Sequence, residues 1–280
     1  MGRIGAVLAC TLWLISSGVP ADEAAVHYRS AKQLRDQGRL DEALVEIDKA
    51  IDERPTYAQG HMTRGTILRR MGKYEAALRS FERAIDLEPK NGRAYGLAGA
   101  ALLRLDRPKA AAEYLQKAVV LDPRDKTHWV NLGLAYRRSK NDEAAIAVYR
   151  KALQQFPNDP MLLNNLGVAL RKARRYDEAI SAHEKAVDAD PHDPSLARNL
   201  AIAYRGAGQY KRAIPVYIKA LELGDGGPPE LLFDLATCYE KVGDSEKAIA
   251  AFRRYIDAVK DQDPAAAQRA EKAIKNLQKK

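Results

Sequence analysis

Asparagine stands at residues 131, 165 and 199, at a constant interval of 34 residues. A primary amide offers two donors and an acceptor, so a row of amides can grip a peptide backbone whatever its side chains. Three residues beyond each asparagine comes an apolar residue: Leu134, Val168 and Ile202. A cation column runs at the same interval through Arg70, Arg104, Arg138 and Lys172, and the residue before it is Arg at 69, 137, 171 and 205. An amide row, an apolar strip and a basic edge suit an extended acidic segment, whose carboxylates the cations would draw in. A charge run is usually a solvated face, but recurrence on one column argues for a surface with a purpose.

No comparable grouping points to catalysis. The histidines (27, 61, 128, 183 and 192) are scattered, and no H-E-x-x-H or C-x-x-C occurs, so no metal site is expected. Gly65 and Gly72-Lys73 have the wrong spacing for a phosphate loop, and no G-x-S-x-G exists. We therefore expect no catalytic residues, no cofactor and no enzymatic activity, because function must be argued from a site.

The interval extends far beyond the asparagines. Pro55, Pro89, Pro123, Pro157 and Pro191 share it, as do Ala43, Ala77, Ala111, Ala145, Ala179 and Ala213. A third column holds Ala50, Ala84, Ala118, Ala152, Ala186 and Ala220. Residues 126–159 carry the fullest version: Trp129-x-x-Leu132-Gly133-x-x-Tyr136, then Ala145-x-x-x-Tyr149-x-x-Ala152, then Pro157. Apolar residues recur at helical spacing within each interval, acids such as Asp142-Glu143 open the second run, and a Gly or polar residue separates the two runs.

This pattern resembles the tetratricopeptide repeat (TPR) family, whose signature has the same spacing. The resemblance implies an all-α, right-handed α-α superhelix of about seven helix-turn-helix repeats plus a C-terminal capping helix. The repeats fall at 24–57, 58–91, 92–125, 126–159, 160–193, 194–228 and 229–262, so the solenoid would occupy 22–262 and the cap 263–280. Departures are Ser30-Ala31 for Leu-Gly, Asp106 for a turn glycine, Tyr255 for the second alanine, and Pro215 about a turn into a second helix, where it should remove a backbone hydrogen bond. In this family the face of the first helix opposite the core lines a groove. On that face one column reads Arg29, Thr63, Leu97, Asn131, Asn165, Asn199, Asp234. Its asparagines look like the ladder in the TPR part of O-GlcNAc transferases. The carboxylate clamp of chaperone-binding TPR domains is not reproduced, since Tyr28 and Lys32 stand where its lysine and asparagine are expected.

At the other extreme, residues 1–21 combine Arg3, an apolar run from Ile4 to Val19 and the small-residue ending Val19-Pro20-Ala21. That is the form of a secretory signal peptide cleaved after Ala21. The alternatives are an uncleaved membrane anchor at residues 4–19, shorter than the ~20 apolar residues that usually span, and a weak lipoprotein box ending at Cys10. All three place the protein outside the cytoplasm: periplasmic, secreted or membrane-anchored. Cleavage would leave Cys238 alone, excluding an intramolecular disulfide, and we expect it to be a buried small hydrophobe.

The chain carries 46 Lys+Arg against 37 Asp+Glu, a net charge of +9. That balance permits anionic partners without a polybasic arm. Nucleic acid is disfavoured, because the tyrosines fall mostly on core columns and no aromatic platform faces the groove. The expected function is a non-catalytic scaffold of the bacterial cell envelope that holds an extended acidic peptide of another protein. The alternative is a binder of acidic polysaccharide within an export or assembly machine.

Overall fold

The computed structural model describes residues 22–279. The expected signal peptide, the anchor alternative and Cys10 lie outside the described residues. Among those described, every regular element is helical, and none is long and apolar enough to cross a membrane.

The chain falls into two compact units, with the boundary along the sequence between Pro89 and Lys90. The first contains α1 (Glu23–Asp36), α2 (Leu40–Glu53), α3 (Ala58–Arg70) and α4 (Tyr74–Leu87). Successive helices pack together, and α1 also touches α3. Ala31, Ala43, Ile47, Ala50 and Ile67 form a fully buried cluster there.

The second unit runs through α5 (Gly92–Arg104), α6 (Pro108–Leu121), α7 (Lys126–Arg138), α8 (Asp142–Gln155), α9 (Pro160–Lys172) and α10 (Tyr176–Ala189). It continues with α11 (Pro194–Gly206), α12 (Tyr210–Leu223), α13 (Glu230–Val242), α14 (Ser245–Val259) and α15 (Pro264–Leu277). Each helix packs on the next, and α5, α7, α9, α11 and α13 also touch in succession. The first helices of the repeats therefore form one continuous layer within this unit. α15 lies against α14, burying Ala266, Ala267, Ala270 and Leu277.

Local chemistry explains these elements. Asn91, Asp125, Asp159 and Asp193 precede first helices, and each accepts a first-turn backbone N–H. Such caps satisfy donors that a helix start leaves open. Proline occupies the start of α6, α9, α11 and α15, where its missing N–H costs little. Pro215 lies inside α12, which continues through it from Tyr210 to Leu223.

Packing between the paired helices depends on absent side chains. The columns of Ala145, Ala179 and Ala213 and of Ala152, Ala186 and Ala220 are wholly or almost wholly buried, allowing close approach of the helices. Gly133 faces the Tyr149 ring so closely that a Cβ would lie 2.2 Å from its ring carbon. The same column pairs Gly167 with His183 at 2.6 Å, again too close for any side chain.

Candidate functional site

The first-helix layer carries the residues singled out from the sequence. Asn131 and Leu134 lie on α7, Asn165 and Val168 on α9, and Asn199 and Ile202 on α11. All six are half-buried. Because α7, α9 and α11 touch in succession, equivalent positions on them form rows across the layer. Asn199 donates from Nδ2 to Oδ1 of Asn164 at 2.9 Å, so the amide row is tied to its neighbours.

Arg104, Arg138 and Lys172 stand at the last residues of α5, α7 and α9, at the rim of the layer. Arg70 stands at the equivalent place on α3, in the other unit. Two of these cations have a use that the column did not reveal. Arg138 Nη1 donates to the Leu103 carbonyl at 2.8 Å, and Arg70 Nη1 to the Arg35 carbonyl at 2.9 Å. Both carbonyls belong to the last turn of the preceding first helix, where acceptors lack intrahelical partners and the helix dipole is negative. These arginines therefore tie one repeat to the next as well as presenting charge. Arg138 also joins Arg107, Lys109 and Lys140 around an open hollow of about 610 Å³.

One residue inward lies a second cationic row, Arg137, Arg171 and Arg205, each half-buried. Each is associated with a polar ring in the second helix of its own repeat. Tyr149 lies beside Arg137 without a hydrogen bond of ordinary geometry, and burial pushes its hydroxyl up to about 12. His183 is influenced by Arg171, and neither ring nitrogen has a hydrogen-bond partner. Burial, reinforced by Arg171, lowers its pKa to about 4. Tyr217 differs, because its hydroxyl accepts from Arg205 Nε at 3.1 Å and donates to Asp234 Oδ2 at 3.2 Å. Arg205 Nη2 also lies 3.3 Å from that carboxylate oxygen.

The electrostatics separate the arginines. Burial alone would lower the Arg205 pKa, but Tyr217 and Asp234 outweigh it and hold the value above that of a free guanidinium. At Arg171 burial prevails, and both Arg205 and Arg137 add like-charge repulsion, so its pKa is lowered. Its Nε is buried without a partner. In the sequence Asp234 is visible only as the end of the asparagine column, where an acid interrupts a neutral series.

Other chemistry lies at the junction of α6 and α7. Carboxylate oxygens of Asp122 and Asp125 and a ring nitrogen of His128 all fall within 4.8 Å of one another, a grouping that no sequence motif announces. Asp125 already caps α7 through Oδ1, which accepts the Thr127 N–H at 2.8 Å. Cys238 is fully buried, and burial pushes its thiol up to about 11. A thiol in that state is a poor nucleophile at neutral pH.

Tetratricopeptide-repeat profiles match residues 62–126 and 102–160, and again 158–225 and 193–261. The chain belongs to the tetratricopeptide-repeat family. No curated protein matches it in sequence. Among solved structures, it is similar to YrrB, described as a TPR protein with an unusual peptide-binding site, at 25% identity and a TM-score of 0.55. That match covers 61% of this chain and 88% of YrrB. The C-terminal part of a TPR protein from Cytophaga hutchinsonii shares the fold at a TM-score of 0.71 and 20% identity, over 86% of this chain and 98% of its own. Pseudomonas aeruginosa pilF does so at 0.63 and 20%, over 77% of this TPR chain and 97% of its own.

Proposed function

We propose that this TPR protein is a non-catalytic scaffold of the bacterial cell envelope, exported by residues 1–21, that holds an extended acidic peptide segment of another protein. The observation that carries this reading is the first-helix layer of α7, α9 and α11, with its rows of half-buried amides and apolar side chains beside cations. The amides of Asn131 and Asn165 take the peptide backbone, with Asn199 beside its Asn164 partner. Leu134, Val168 and Ile202 take apolar side chains, and Arg104, Arg138 and Lys172 supply long-range attraction. The peptide-binding site in the description of YrrB supports a ligand of this kind.

An array of extended peptides of graded acidity tests the reading on residues 22–280. Acidic, partly apolar peptides should be retained. Asn165→Ala should weaken them about fivefold, the loss of roughly 1 kcal/mol from one hydrogen bond. Arg138→Glu should slow association most at low salt. Equal binding by both variants and the wild type would remove the groove from consideration.

A second reading, acidic polysaccharide, is favoured by the hollow among Arg107, Lys109, Arg138 and Lys140. It requires steep salt dependence without peptide selectivity, and affinity that survives Asn165→Ala.

A further inference from the structure

Successive repeats of one chain serve as controls for one another. Arg205 of the sixth repeat meets Asp234, which stands in the next repeat on the column of the asparagines. Moving this relation back one repeat pairs Arg171 with the position of Asn199, and one repeat further pairs Arg137 with that of Asn165. The acid is thus replaced by a neutral amide where the proposed groove is richest in amides.

The consequences of that replacement are visible. Around Arg205 the Nε–H, the Tyr217 hydroxyl and the Asp234 carboxylate satisfy one another in a closed chain of hydrogen bonds. Around Arg171, the guanidinium Nε and both His183 ring nitrogens are buried without partners. Neighbouring cations bear on Arg171 from both sides. His183 supplies no counter-charge in either protonation state, and burial keeps its ring neutral near pH 7. A partly buried guanidinium with like-charged neighbours gains from a carboxylate more than a solvated surface cation does, since the pair is screened less.

We infer that Arg171, flanked by Arg137, seats one carboxylate of the bound segment, an aspartate or glutamate side chain that does for Arg171 what Asp234 does for Arg205. This assignment rests on the peptide-groove reading and adds a defined anchor to it. The outer cations Arg138 and Lys172 attract the acid, and Arg171 receives it. Asp234 then acts as an internal substitute for the ligand, closing the row at its C-terminal end.

The test uses residues 22–280 with acetyl-Glu-Glu-Glu-amide and acetyl-Gln-Gln-Gln-amide as probes, reading the Arg171 Nε–Hε resonance by NMR. The glutamate peptide should move that resonance and the glutamine peptide should not. Asn199→Asp, which installs the internal acid, should weaken the glutamate peptide at least tenfold, and several-fold more than Asn199→Ser, which removes the same amide without adding a charge. Asp234→Asn should open Arg205 to the same probe, so that its resonance begins to respond. A response to inorganic phosphate but not to the glutamate peptide would overturn the assignment, as would equal binding by wild type and Asn199→Asp. The two readings fail separately. A longer acidic peptide lost in Asn165→Ala but indifferent to Asn199→Asp would remove the seat and keep the groove. An Arg171 response to the short probe, with longer peptides indifferent to Asn165→Ala and Arg138→Glu, would do the reverse.

Discussion

Repeats 5 and 6 fold the same helical pair around different polar residues. In repeat 6, Arg205 and Tyr217 share Asp234 from the following repeat, so buried donors and acceptors meet within the chain. In repeat 5, Arg171 and His183 occupy the same two positions, Asn199 takes the place of the acid, and three buried nitrogens have no partner. Even the turns differ, with Gly208 at φ 74° in repeat 6 and Arg174 at φ 61° in repeat 5. The solenoid is therefore held by its Ala and Gly columns, which leaves the polar positions of each repeat free to be closed or left open.

The largest expected effect breaks the comparison at His183. Its pKa is lowered from 6.5 to about 4, so the unfolded chain takes up the proton first as pH falls. Its contribution is complete above pH 6.5 and is lost as pH drops toward 4, by about 3 kcal/mol at roughly 1.4 kcal/mol per unit. Urea unfolding across that range should show the loss. His183→Phe introduces the side chain that Phe81 and Phe252 already place on the same column. It should remove this part of the slope; an unchanged slope would contradict the account.

Asp234→Asn makes repeat 6 resemble repeat 5 by leaving Arg205 without its acid. Breaking a fully buried pair costs about 3–5 kcal/mol. Here the side chains retain 36% and 20% exposure, so we expect about 2 kcal/mol in chemical denaturation. Asn199→Asp makes the opposite change. It gives Arg171 a counter-charge within the chain but loses the donation from Asn199 Nδ2 to Asn164, so stability should rise by somewhat less than about 1 kcal/mol, and less still at high salt. The smallest effect is at the turn. Arg174→Gly should stabilise by about 0.5 kcal/mol in thermal unfolding, since glycine relieves the left-handed strain but makes the unfolded chain freer.

Much of this frame was legible in the amino-acid sequence. The 34-residue interval implied paired helices because Ala145 and Ala152 in one run, or Leu132 and Tyr136 in the other, stand at spacings that a helix puts on one face. That same register assigned Asn131, Asn165 and Asn199 to the first helices, opposite the core. The αL turn was legible at Gly208 and Gly243, and obscured at Lys140 and Arg174, where packing holds a residue that prefers other backbone angles.

Columns by themselves determine faces and registers, since both follow from helical periodicity along a single element. They do not determine partners across a repeat boundary. In the sequence Arg138 is one more member of a basic edge; in the fold its guanidinium sits on the Leu103 carbonyl, 35 residues away in the chain. Arg171 and Arg205 are identical letters in one column, and only tertiary structure places Asp234 against one and unpaired buried nitrogens around the other. The physical reason is that charge compensation acts over a few ångströms in space between side chains of adjacent repeats, whereas the pattern in the sequence records only which face each side chain leaves from.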